Sequence, residues 1–138
     1  MAIQHDAAMN TILFVNKYIN LSEKDCLIGL SSVSFDLSVY DIFGAFTAGA
    51  SLLVPTESER IDPSCWLNLC NEHHVTVWNS VPALMDIFFD YCIAVKKVPA
   101  NFSIRHTILS GDWIPMDLFD KMKSVLPESQ LTSMGGCN

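Results

Sequence analysis

Val75 to Met85, VTVWNSVPALM, reads as a strand running into a helix. Val75, Val77 and Trp78 are β-branched or aromatic, types that suit a buried strand ending at Asn79. Pro82 lacks a backbone N–H, which costs nothing in a first helical turn. Beyond it Leu84, Ile87, Phe88, Tyr91 and Val95 recur at helical spacing, with Asp86 and Asp90 opposite. The unit is therefore strand, tight turn, helix.

The same unit recurs on either side. Downstream, Arg105 to Leu109 is a short strand, and Met116, Phe119, Met122 and Leu126 form a helical stripe. Gln130 to Ser133 is a last strand before Gly135-Gly136. Upstream, Ala8, Ile12, Val15 and Ile19 share one helical face, and Cys26 to Ser31 (CLIGLS) is a buried strand. Leu37 to Ala48 is a helix closed by Gly49, and Ser51 to Val54 is a strand. Thr56 to Pro63 is a charged loop, and Ser64 to Glu72 is a helix with Trp66, Leu67 and Cys70 inward. Alternating helices and strands predict an α/β fold, a largely parallel sheet with flanking helices. In such sheets ligands sit beyond the carboxyl ends of the strands. That rule selects Ser32 to Asp36, Asn79-Ser80, Ser110-Gly111-Asp112 and Met134 to Asn138.

Composition narrows the function. Half of the 138 residues are apolar, 17% are charged, and the net charge is −7. Apolar content argues against disorder. The negative balance argues against nucleic acid and anionic membrane surfaces, which need basic faces. The apolar run from Phe43 to Pro55 is too short to span a bilayer. Five cysteines without a CxxC suggest neither a disulfide framework nor a zinc site, and reduced thiols point to a cytoplasmic protein.

Single residues leave alternatives open. Asp36 could cap the helix that follows it or pair with a ligand ammonium. Asn79 could orient a ligand or cap the next helix. Gly111 permits close backbone approach, and Gly135-Gly136 could present N–H groups to a phosphate. His73 and His74 are adjacent and chelate a metal poorly, so they read as surface. Cys92, Phe88 and Phe89 read as core, and Trp113 as a plug at a βα turn. GxxxxGK[ST], GxGxxG and GxSxG are all missing.

Taken together, four stretches resemble one family. Ser31 to Gly44 (SSVSFDLSVYDIFG) is similar to the FDxS region of nonribosomal peptide synthetase adenylation domains. Val75 to Met85, Leu109 to Pro115 (LSGDWIP) and Ser133 to Cys137 (SMGGC) follow in the family's order. The resemblance implies an adenylate-forming ligase that joins an amino acid to ATP and loads it onto a carrier-protein thiol. It implies the large N-terminal subdomain of such an enzyme, with residues 1–138 a fragment of one adenylation domain.

By the same resemblance the amino acid would meet Asp36, Leu37, Tyr40, Asn79, Ile108, Ser110, Gly111 and Met134, with Asp36 on the α-ammonium. Nucleotide would meet Gly135, Gly136, Cys137 and Asn138. The pocket set resembles cysteine-selecting ones, with Ile108 and Met134 where Leu is usual. ATP, Mg²⁺ and a phosphopantetheine-bearing carrier would take part, beside condensation or cyclisation domains. The family's Ser/Thr/Gly-rich phosphate loop, ribose-binding Asp, Mg²⁺-associated Glu and catalytic Lys are not found in this sequence. The fragment alone is therefore expected to be inactive, with no catalytic or metal-binding residue of its own. Two alternatives stand: an acyl-CoA or aryl acid ligase, whose substrate has no ammonium for Asp36, and a non-catalytic flavodoxin-like module.

Overall fold

A computed structural model describes residues 4–32, 36–97 and 102–134. Helix α1 (His5–Tyr18) leads to β1 (Cys26–Gly29). A helical run follows, made of α2 (Asp36–Val39), a π turn (Tyr40–Gly44) and α3 (Ala45–Ala48), and then β2 (Ser51–Leu53). The remainder alternates: α4 (Pro63–Glu72), β3 (Val77–Ser80), α5 (Pro82–Val95), β4 (His106–Leu109), α6 (Met116–Val125) and β5 (Gln130–Ser133). The five strands form one sheet in the order β2-β1-β3-β4-β5, and every pairing is parallel. The α/β architecture is the one expected.

Alternation along the strands divides the core in two. Ile28, Trp78 and Leu109 point to the face covered by α4, α5 and α6. Leu27, Val77 and Ile108 point to the other, under α1 and the π turn. The first face is the larger and is built around aromatics. Trp78 stacks on Phe88 at 4.7 Å, and Trp66 meets Trp78 edge-on at 6.0 Å. Both indoles satisfy their N–H, Trp66 on the Glu59 carbonyl and Trp78 on Ser80 Oγ, each at 2.8 Å. That Ser80 faces this core removes it from the ligand edge.

Three sequence expectations need correction. On α5 the buried residues are Pro82, Met85, Phe88, Phe89 and Cys92, whereas Ile87 is half-exposed. This helix is apolar on most sides, so periodicity alone does not fix its direction. On α6 the inward set is Leu118, Met122 and Val125, and Met116 is exposed in the first turn. Trp113 is 83% exposed and plugs nothing.

At the opposite end of the sheet Arg105 ties loops together. Its guanidinium donates to Asp25 at 3.0 and 2.8 Å, and to the carbonyls of Ile19 and Asn20. Burial pushes the Asp25 carboxyl up, but hydrogen bonds from Arg105, Thr76 and Ser22 hold it below its ordinary value. This network anchors the strand starts and leaves their carboxyl ends free for a site.

A cavity at the carboxyl ends of the strands

A cavity of about 410 Å³ opens where β3, β4 and β5 end. Strand register builds its base. Asn79 pairs with Ile108, and Ile108 with Thr132, so Asn79, Ile108, Ser110 and Met134 share a sheet face by the two-residue repeat. Gly111 completes this side. Its φ of +89° lies in the left-handed region, and a Cβ there would meet Val81 Cγ1 at 3.3 Å. Only glycine takes that turn without strain, so the chain leaves the strand close against the cavity.

The opposite wall is helical. Leu37, Val39 and Tyr40 come from the start of the helical run, and Ala7, Ala8, Thr11, Ile12 and Val15 from one face of α1. Among the described residues none of the lining side chains is charged. Small and apolar walls with a few polar groups suit a small ligand.

Tyr40 is fixed from two directions. Its hydroxyl donates to Asn16 Oδ1 at 2.8 Å. Asn16 in turn donates to the Gly44 carbonyl at 3.0 Å and to Thr47 Oγ1 at 2.9 Å. Gly44 lies under the ring, where a Cβ would come within 2.9 Å of it. Burial drives the phenol well above its usual range, so Tyr40 stays neutral and donates.

Asn79 is 1% exposed. Its Nδ2 donates to Asp41 Oδ1 at 3.0 Å and to the Leu37 carbonyl at 3.4 Å. Asp41 is also buried. Burial pushes its carboxyl up to about 7, against a smaller opposing effect of the Asn79 bond. Asp41 Oδ2, Asn79 Oδ1 and Ser110 Oγ are buried without a partner.

Seven of the residues selected from sequence therefore surround one cavity: Leu37, Tyr40, Asn79, Ile108, Ser110, Gly111 and Met134. The side chain of Asp36, and all of Gly135, Gly136, Cys137 and Asn138, lie outside the described residues. Sequence reasoning missed the α1 wall and the supporting pair Asn16 and Asp41. In the sequence Ala8, Ile12 and Val15 share the spacing of a core stripe. His73 and His74 are exposed. Among the described residues no group of three or more His, Cys, Asp or Glu could hold a metal ion. No described helix is long and apolar enough to cross a membrane.

Comparison with known proteins adds to this geometry. A family model described as AMP-binding enzyme matches residues 1–138. The chain is 40% identical over 136 residues to the anguibactin system regulator of Vibrio anguillarum, covering 99% of this chain and 13% of that protein. It is 40% identical over 136 residues to pyochelin synthetase PchF of Pseudomonas aeruginosa, covering 97% of this chain and 7% of that protein. Among solved structures it resembles the nonribosomal peptide synthetase FmoA3 in its AMPPNP-bound form, at 32% identity and a TM-score of 0.89, covering 98% of this chain and 14% of that one. The form of FmoA3 bound to alpha-methyl-L-serine-AMP gives a TM-score of 0.87 over 95% of this chain and 15% of that one. The chain thus spans a small part of the proteins it matches.

Proposed function

This chain belongs to the AMP-binding enzyme family, and from that premise we propose that its cavity is the amino-acid pocket of a nonribosomal peptide synthetase adenylation domain. In that reaction a carboxylate oxygen of the amino acid attacks the α-phosphorus of ATP, and the bond to pyrophosphate breaks. A carrier-bound phosphopantetheine thiol then attacks the acyl carbon, and AMP leaves. Such chemistry depends on positioning and charge neutralisation. The observation that carries the reading is the gathering of seven residues, distant in sequence, around one cavity at the strand ends. Family membership sets aside a non-catalytic flavodoxin-like module.

In this reading Asp36, at the head of α2, receives the α-ammonium. Leu37, Ile108 and Met134 form an apolar wall, Asn79 and Ser110 supply polar contacts, and Gly111 lets the backbone approach. Gly135 to Asn138 would meet the nucleotide, with Mg²⁺ held by residues elsewhere in the enzyme. Carrier and condensation or cyclisation domains of a cytoplasmic synthetase would be the partners.

Cysteine is the substrate this wall fits best. A thiol is soft, weakly hydrogen-bonding and compatible with Leu, Ile and Met. Serine is the nearest competitor, because an apolar pocket rejects an added hydroxyl only modestly. FmoA3, bound to alpha-methyl-L-serine-AMP, shows that a related protein accommodates a hydroxyl-bearing residue.

The test is amino-acid-dependent ATP–pyrophosphate exchange by the intact adenylation domain, under reducing conditions, with a panel of amino acids. Cysteine is expected to give the highest kcat/KM. Asp36→Asn is expected to lower it by at least tenfold, since truncating a desolvated carboxylate–ammonium pair costs about 2–5 kcal/mol. A bulky aromatic or basic amino acid as the best substrate overturns the pocket assignment. An aryl or fatty acid as the best substrate, with Asp36→Asn without effect, returns the alternative ligase.

A further inference from the structure

The three unpartnered polar atoms beside the cavity call for an explanation, because buried polar groups are nearly always paired. Asn79 is the informative one. Its amide direction is set by its neighbours: one end meets Asp41 Oδ1 at 3.0 Å and the Leu37 carbonyl at 3.4 Å. A backbone carbonyl only accepts, so that end must be the NH₂. The carbonyl Oδ1 is then the free end of a side chain that lines the cavity. Ser110, on the same sheet face, adds a buried hydroxyl with no partner. The wall at the base of the cavity thus holds a fixed acceptor and an adaptable hydroxyl, both buried within it.

Asp41 does not line the cavity and acts through Asn79. It sits in the π turn between Tyr40 and Gly44 and is 2% exposed. Without it the Asn79 NH₂ would keep only the long contact to the Leu37 carbonyl. The amide could then turn over and offer a donor instead.

We propose that Asp41 is a positioning residue that commits the Asn79 carbonyl to the cavity, so that the pocket selects amino acids whose side chains end in a hydrogen-bond donor. The inference rests on the reading of this cavity as the amino-acid pocket and names a determinant of its selectivity. A site that satisfies a donor leaves a buried acceptor unpaired when the ligand lacks one, and so rejects that analogue.

The test compares cysteine with 2-aminobutyrate, which has nearly the same shape and no side-chain donor, in exchange assays on the intact adenylation domain. Asp41→Leu is expected to lower the ratio of their kcat/KM values by about tenfold, with KM for ATP unchanged. Asp41→Asn keeps a carbonyl acceptor for the Asn79 NH₂ and should hold the ratio within about threefold of wild type. If the Leu variant does not fold, Asp41→Ser, which has a shorter reach, is read in its place. Equal losses for both substrates in Asp41→Leu mark a structural role only and overturn the proposal. Asn79→Leu separates the two levels. If it collapses the ratio while Asp41→Leu leaves it intact, the positioning role falls alone. If it moves the kcat/KM of no amino acid, the pocket reading falls and takes this inference with it.

Discussion

Asp41 carries a proton in the folded protein under conditions where an ordinary carboxyl has lost it. Burial takes its carboxyl from 3.8 up to about 7. Between those values the native state binds one proton more than the unfolded state. Stability therefore falls as pH rises through this window, and the loss is complete above pH 7. The upper bound is on the order of 4 kcal/mol, from about 1.4 kcal/mol per unit. Asp41→Asn has the shape of the protonated acid and does not titrate. Thermal melts of the intact domain from pH 5 to 8 are expected to show the variant gaining on wild type as pH rises. A pH-independent difference between the two would refute this account. At this scale the sequence was informative for Asn79, Ser110 and Gly111, because polar residues or a glycine at a strand's end break an apolar run. Nothing marked Asp41, an acidic residue in an amphipathic stretch, as buried. Nor did anything in the sequence mark Asn16, which holds Tyr40 in place.

Among the elements, the helical run from Asp36 to Ala48 departs most from its sequence reading. The length of Leu37 to Ala48 predicted one helix, and the structure contains a π turn at its centre. That wider turn carries Tyr40 to the cavity and Asp41 to the interior. Gly44 is what lets the ring lie flat. Its φ of −62° is one any residue adopts, so the requirement is for space and not for conformational freedom. Gly44→Ala would force Tyr40 aside and strain its bond to Asn16. Overpacking of this kind costs about 1–3 kcal/mol. Urea unfolding of the intact domain should show that loss, and kcat/KM for the amino acid should fall while KM for ATP holds. A variant as stable as wild type would mean that the ring has room to move. The apolar stripes of α5 and α6 held only in part, and for a different reason: Phe88, Met122 and Leu126 are buried, while Ile87, Met116 and Phe119 are exposed. Several faces of each helix carry large apolar residues, so packing against the sheet chose among them. Strands fared better, because short β-branched runs between turn signals leave little choice.

The whole molecule divides its labour unevenly. Five separate segments of the described residues converge on the cavity. The parallel sheet and its ligand edge were legible, since alternation of strands and helices fixes where strand ends collect. The far wall from α1 was not, because a helix face lining a cavity and one filling a core show the same periodicity. Phosphate chemistry is provided for differently. Among the described residues the cavity has no cationic side chain, the net charge is −7, and Arg105 and Lys121 are engaged by aspartates at 2.8 and 2.6 Å. A triphosphate needs concentrated positive charge or converging N–H groups. The described residues around the cavity supply no such charge. In the proposed enzyme, Gly135 to Asn138 and other parts of the synthetase would hold ATP. The purified 138-residue chain is therefore expected to give amino-acid-dependent ATP–pyrophosphate exchange no higher than a no-enzyme control, while the intact domain exchanges readily. Cysteine-dependent exchange by the short chain, abolished by Asn79→Leu, would show that these residues assemble both halves of the site.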